Sequence, residues 1–304
     1  MKLVTSLDYI TNIQTQFFKA NLYQDEVLYY KYQQKTPYSL LIMIDYSHNE
    51  LVLEFSGKIL LEHYPQLINI GTIGECIDNI NKLAVCSLDR DNIIHDANVV
   101  KCDVTMDVDA DVNKITSTIR QNLINYSKWS AKPYNNGVVV ENIVSTPKYK
   151  KRLTIYEKSK ELNQGSSKHF LNSLSNRDEV LDYYKNKVRF ELNINTMSQV
   201  RQMLNIPDNH IQSVLKSTAN PILQVIDEAV RYRETKIRAI TLRDYEHELL
   251  LKDCDYDLAK VEAKVRAYSK KSTSITRAMQ PYKDLFHQLK SDHKTEIDIR
   301  KLVS

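Results

Sequence analysis

Three stretches of this chain alternate apolar and polar residues with a period of two, and nothing else in it constrains the fold as strongly. Cys102, Val104, Met106 and Val108 fall on one side of an extended segment; Asp103, Thr105, Asp107 and Asp109 fall on the other. Leu153 and Ile155 oppose Arg152, Thr154, Tyr156 and Lys158. Val188, Phe190, Leu192 and Ile194 oppose Lys187, Arg189, Glu191 and Asn193. Strands of this kind bury one face and leave the other polar, as in a one-sided antiparallel sheet. Simple solvation explains such a polar face in any protein. Here, however, one face offers carboxylates, one a tyrosine between cations, and one an Arg-x-Glu.

The rest of the N-terminal two thirds fits the same plan. Glu26 to Tyr32, Tyr38 to Tyr46 and Leu51 to Phe55 read as strands, the last two joined as a hairpin through Ser47-His48-Asn49. Ile73, Ile77, Ile80 and Leu83 have helical spacing, as do Ile115, Ile119, Leu123 and Ile124 within Val112 to Tyr126. Gly137 to Ile143 and Arg152 to Lys158 form a second strand pair around Pro147. Strands with one long helix thus occur twice, compatible with a pseudo-duplicated pair of units, although no residue-level repeat accompanies them.

After Asn195 the pattern turns helical. Thr196 and Asp208 are expected N-caps, Asn205 a terminator, and Asn220-Pro221 a helix start. Leu242 to Ser269 and Ser274 to Leu289 read as longer helices. The expected fold is α+β: residues 1–97 and 98–196 as two antiparallel sheet-plus-helix units, the second catalytic, and 197–304 as a helical C-terminal region.

Composition removes several functional classes. The 304 residues include only five glycines, and none forms a G-x-G-x-x-G or a phosphate-cradling loop. No apolar stretch reaches about 18 residues, and no signal-peptide pattern opens the chain, so a cytoplasmic location without membrane contact is expected. Cys76, Cys86, Cys102 and Cys254 fit no zinc framework, and no His-x-His or H-E-x-x-H occurs. Net charge is only +4, but basic residues cluster. Lys148, Lys150, Lys151 and Arg152 form one group; Lys264, Arg266, Lys270 and Lys271 lie in an acid-free stretch ending at Lys283. Such groups suit phosphate backbones or merely a solvated face.

Thr154-Ile155-Tyr156-Glu157-Lys158 resembles the Tyr-x-Lys strand motif of rolling-circle replication initiators. Leu53-Glu54-Phe55-Ser56 and Asn69-Ile70 resemble that family's N-terminal strand and turn. Lys101-Cys102-Asp103 stands where the family often has Arg-x-Asp, and Val188-Arg189-Phe190-Glu191-Leu192 resembles its Arg-x-Glu strand. Leu249 to Arg266 is similar to the helical tail of phage and plasmid replication proteins of the gene II/X type. The likeness runs from about residue 40 to 290, and plasmid initiators and relaxases share its chemistry. Lys101 departs from the pattern: it keeps the charge but not the bidentate fork of arginine.

The resemblance implies an enzyme that nicks one strand at a replication origin through a 5′-phosphotyrosine, using Mg²⁺ or Mn²⁺. Tyr156 is the expected nucleophile, with Lys158 and Arg189 beside it. Asp103 and Glu191 are the first expected metal ligands and Asp107 the next, as hard oxygen donors. Glu157, on the opposite face, is expected in a salt bridge. Tyr149, Tyr183 and Tyr184 are rival tyrosines, the last two expected to pack, as is Trp129. Expected partners are double- and single-stranded origin DNA, contacted by the two basic groups, and a host helicase, since the chain lacks a nucleotide-binding loop. The helical third could contact DNA or form a homodimer. A mobilisation relaxase with the same chemistry and a non-catalytic DNA-binding protein are the competing readings.

Overall fold

The computed structural model describes residues 1–123, 128–144, 146, 149–230, 241–268, 275–289 and 297–304. Lys148, Lys270 and Lys271, from the two basic groups, lie outside the described residues, as do Ile124, Tyr126 and Pro147.

The strands are β1 (Lys2–Ser6), β2 (Ile10–Thr11), β3 (Lys19–Tyr23), β4 (Glu26–Gln34), β5 (Leu40–Asp45), β6 (Glu50–Glu54), β7 (Ser87–Leu88), β8 (Asn98–Asp109), β9 (Trp129–Tyr134), β10 (Gly137–Asn142), β11 (Arg152–Glu157) and β12 (Lys187–Ile194). Ten of them make one antiparallel sheet in the order β3-β4-β5-β6-β1-β8-β12-β11-β10-β9; β2 and β7 pair separately. The two expected sheet units are therefore two parts of one continuous sheet, joined where β1 meets β8. Read outward from that seam, the order is β1-β6-β5-β4-β3 on one side and β8-β12-β11-β10-β9 on the other. The shared strand order comes without a repeat in the residues, so a duplication is not evident.

The alternation dictates which face is buried. Leu153, Ile155, Val188, Phe190, Leu192 and Ile194 join Leu3, Ile42, Leu51 and Leu53 in one continuous core. Helices Ile73–Asn81 and Val112–Asn122 cover that face, the second capped by Asp111, which accepts from the backbone N–H groups of Asn113 and Lys114. Thr196 caps Met197–Leu204, and Asn205 ends it in the left-handed region at φ 51°, ψ 51°. Asn220 caps Pro221–Ala229, with proline at the first turn. Asp208 does not cap a helix. Its carboxylate accepts from the His210 N–H, and the next helix, Ile211–Lys216, begins after His210.

The C-terminal third divides by packing. Val200, Ile211, Val225, Ile226, Ile299 and Val303 belong to the core under the sheet. A separate cluster, including Leu251, Leu258, Val261, Met279 and Phe286, holds together helices Leu242–Asp253, Leu258–Tyr268 and Ile275–Leu289. The single helix expected over Leu242 to Ser269 is broken, because Asp255 and Tyr256 take φ values of 54° and 55°. No helix among the described residues is long and apolar enough to cross a membrane.

Candidate active site

Register brings the three polar faces together. β8 and β11 flank β12, so Arg189 lies opposite both Asp107 and Tyr156, and Glu191 opposite Thr105 and Thr154. A cavity of about 570 Å³ lies above this face; Tyr156, Lys158, Arg189, Asp103 and Glu191 all line it.

Tyr156 is buried, and its hydroxyl donates to Glu191 Oε2 at 2.9 Å. Burial pushes the phenol's pKa strongly up, and the Glu191 carboxylate pushes it further, while Arg189 opposes both. At rest Tyr156 is a protonated phenol held on a carboxylate.

Arg189 is only 4% exposed and makes four side-chain hydrogen bonds. Nε and Nη2 each donate to Asp107 at 2.7 Å, a bidentate pair; Nη1 donates to the Tyr64 hydroxyl at 3.1 Å and Nη2 to that of Tyr184 at 3.0 Å. Burial works against its charge, but the bonds to Asp107 prevail and keep it protonated. Asp107 therefore serves as the counter-ion of Arg189. With both oxygens engaged, it is not placed as the third metal ligand expected of it.

Lys158 begins the helix Lys158–Leu162 and is buried against Glu161, with which it forms a hydrogen-bonded ion pair. Its ammonium lies 5.6 Å from the Tyr156 ring centre and 5.3 Å from that of Tyr64. Burial raises the Glu161 pKa, but Lys158 and Ser167 outweigh it and hold the carboxyl below its ordinary range. Tyr64, Leu162, Phe170, Leu171, Leu174, Val180 and Tyr184 pack as a small second core over this end of the polar face. That cover is why a face solvated in most sheets contains buried tyrosine, arginine and lysine here.

Toward the seam the face opens. Asp103 is exposed and accepts from Asn193 Nδ2 at 2.6 Å. Glu54 also lines the cavity, with Lys101 3.8 Å from it. Among the described residues, no group of three or more His, Cys, Asp and Glu side chains is arranged to hold a metal ion.

Other expected residues fall elsewhere. Glu157 pairs with Lys160 at 2.6 Å, the anticipated strand-end salt bridge. Tyr149 is exposed, Tyr184 packs beneath Arg189, and Trp129 is buried in the main core. Tyr183 stacks edge-on against Tyr184, with ring centres 4.8 Å apart, while staying 44% exposed. The described basic residues are mostly paired. Lys150 meets Glu141 at 3.1 Å, Lys151 meets Glu228 at 2.6 Å, Lys264 pairs with Asp253, and Arg266 meets Glu262 at 2.6 Å. Arg152 is exposed on the polar face.

Sequence reasoning missed Lys58, Tyr64 and Glu161 as parts of the site and named Tyr184 only as a rival tyrosine that packs. They come from the turns Gly57–Gln66 and the helices after β11, where no periodicity marks them. Glu54 stood within a quoted motif but without a role. Gly137 was also missed. It lies opposite Tyr156, and a Cβ there would fall 1.9 Å from the Ile155 carbonyl oxygen and 2.8 Å from the Tyr156 Cα.

No curated protein and no solved structure matches the chain. Residues 72–213, which contain Tyr156, Arg189, Glu191, Asp103 and Asp107, match the family described as the N-terminal part of the phage replication-associated gene II protein. The polar face of the sheet lies inside that match, and over residues 72–213 the chain is similar to this phage family of rolling-circle replication initiators.

Proposed function

We propose that this chain starts rolling-circle replication by cutting one strand of its origin with Tyr156 and remaining attached to the new 5′ end. The observation that carries the reading is the Tyr156 hydroxyl held 2.9 Å from Glu191 at the wall of a polar cavity. The family match favours replication over mobilisation and supports origin DNA as the partner.

In the proposed reaction the phenol gives its proton to Glu191 Oε2 as its oxygen bonds to phosphorus. The bond from phosphorus to the 3′-oxygen breaks, and that oxygen leaves as a hydroxyl after taking a proton from water. A free phenol has a pKa of about 10. Burial and the Glu191 charge raise this one, so Tyr156 is inert until its proton can move. Once Glu191 is protonated its charge no longer opposes the phenolate, while Arg189 nearby still favours it. Arg189 itself, held by Asp107, Tyr64 and Tyr184, ties β12 to β8 and to the small second core.

Asp103 and Glu191 fit a Mg²⁺ or Mn²⁺ ion, since both carboxylates line one cavity and Mg²⁺ commonly takes one or two carboxylates plus substrate phosphate. Such an ion, when bound, neutralises charge on the phosphate. The phosphotyrosine conserves the energy of the cut bond, so strands can be rejoined without a nucleotide. Unwinding then falls to a host helicase. Arg152, Lys150, Lys151, Lys264 and Arg266, with Lys148, Lys270 and Lys271, would contribute contacts to DNA phosphates.

A supercoiled plasmid carrying the chain's own origin tests the reading. Incubation with Mg²⁺ or Mn²⁺ should nick it and leave the protein on the 5′ end. Asp103→Ala should cut poorly, with partial recovery in excess Mn²⁺; Glu191→Ala, which also removes the proton acceptor, should cut poorly and not recover. Tyr156→Phe should not recover at any metal concentration. An adduct persisting in Tyr156→Phe would move the chemistry to another tyrosine, with Tyr149 the first to examine.

A further inference from the structure

We propose that Lys58 is the cation that receives the scissile phosphate beside Tyr156. The proposal rests on Tyr156 being the nucleophile, and it adds a residue from outside the family match, which begins at residue 72.

The argument is one of charge. Attack on a phosphodiester increases negative charge on the non-bridging oxygens, so a site needs positive charge that is available to them. Two of the cations near Tyr156 already have counter-ions: Arg189 is bidentate on Asp107, and Lys158 is paired with Glu161. Lys58 differs. Its ammonium donates to a neutral oxygen, Ser167 Oγ, at 2.9 Å, and lies 5.7 Å from the Phe170 ring centre. It lines the same cavity as Tyr156 and Glu191.

Ser167 fixes where that ammonium points. The serine is buried, and its hydroxyl donates to Glu161, so its oxygen is left to accept from Lys58. Lys58, Ser167, Glu161 and Lys158 thus form one hydrogen-bonded chain; Lys58, Glu161 and Lys158 line the cavity, and the Lys158 end lies beside Tyr156. Burial lowers the Lys58 pKa, the sign of a partly dehydrated ammonium. An arriving phosphate oxygen restores the partner that burial removed. The stronger charge on that oxygen in the transition state makes the contact stronger there than in the ground state.

Chemical rescue tests this. Lys58→Cys should retain the wild-type melting temperature and form the covalent adduct with a single-stranded origin oligonucleotide about 100-fold more slowly, the usual cost of one charge-stabilising donor. Treatment with 2-bromoethylamine rebuilds an ammonium at the same reach and should restore most of the rate; iodoacetamide, which adds a neutral amide, should not. The native Cys76, Cys86, Cys102 and Cys254 are buried, with thiol pKa values raised by burial, so labelling should fall on residue 58, as mass spectrometry would verify. Should Lys58→Cys not fold, Lys58→Gln keeps a hydrogen-bonding head against Ser167 and should show the same loss. An unchanged rate, equal recovery with both reagents, or no recovery after confirmed aminoethylation would overturn the proposal. Tyr156→Phe run alongside separates the two ideas: an adduct in that variant counts against the nucleophile, not against Lys58.

Discussion

The two sides of the sheet follow one strand order, yet only one side holds the tyrosine, arginine and glutamate of the proposed site. Beside the seam, β12 presents Arg189 and Glu191 on its outer face, and β11 presents Tyr156. The strands in the corresponding places are β6 and β5, where Val52, Leu41 and Met43 occupy such positions. Even Glu54, the carboxylate nearest the cavity on that side, faces Lys101 rather than a tyrosine. Architecture alone therefore does not determine activity; the chemistry depends on which side chains occupy the outer positions and on a second core that dries them.

Removing the proposed nucleophile should break the comparison most completely. Tyr156→Phe is expected to cut adduct formation by more than about 10⁴-fold, the scale on which loss of an attacking group acts. Tyr29→Phe, on β4 of the other side, should leave the rate unchanged in the same gel assay, because that hydroxyl accepts from Asn21 Nδ2 away from the cavity.

Next come the ion pairs. Arg189→Met leaves Asp107 charged and unpaired under the small second core, which should cost about 3–5 kcal/mol in urea unfolding. Lys101→Met removes a half-exposed partner of Glu54 at 3.8 Å and should cost about 0–1 kcal/mol. Similar losses from both would mean that the second core does not exclude water.

Two glycines give a smaller contrast. Gly137→Ala forces a methyl into the β10–β11 backbone and should destabilise by about 1–3 kcal/mol or more, with loss of nicking as Tyr156 shifts. Gly57→Ala, whose new Cβ would sit 3.6 Å from the Tyr64 ring, should stay within about 0.5 kcal/mol of wild type by thermal unfolding.

Much of this site could be read from alternation, because alternation fixes which residues share a face. Tyr156, Arg189, Glu191 and Asp103 were placed that way. What alternation does not contain is register. That Arg189 stands opposite Asp107, and so takes both of its oxygens, depends on how β8 aligns with β12. Strands with weak local signals were invisible. β3 is exposed along its whole length, β9 contains Pro133, and β1 is five residues long although it lies at the centre of the sheet. The ion pairs of the basic groups were equally hidden. The acid of Lys151 is Glu228, 77 residues on, although that of Arg266 is Glu262, only four residues back.

Acid should also distinguish the two sides. Glu161 has a folded pKa below its ordinary 4.5, so its contribution is present above that value and is lost as pH falls through the lower folded one. Glu161→Gln should therefore flatten the acid limb of stability measured by urea unfolding below about pH 4.5, the ordinary carboxyl value.

The smallest effect belongs to the β5–β6 turn. His48 sits against Asp45, and hydrogen bonding to that carboxylate raises its pKa above 6.5. Its contribution is complete below 6.5 and disappears as pH rises through the higher folded value. NMR titration of the His48 ring should show the raised midpoint, and Asp45→Asn should return it to the ordinary range.

The seam at β1 has a consequence for the order of assembly on the ribosome. β1 can pair with β6 once residue 54 has been made, which completes the first five strands. Its other edge then stays bare until residues 98–101 emerge, and β8 in turn waits for β12. Each half thus presents an unpaired strand edge during synthesis, the kind of edge that recruits foreign strands. Pulse-labelled hydrogen exchange on stalled chains should find β6 protected before β8, and simultaneous protection would rule out this sequence. The seam that unites the mature sheet is therefore the stretch of the nascent chain most in need of shelter by a chaperone.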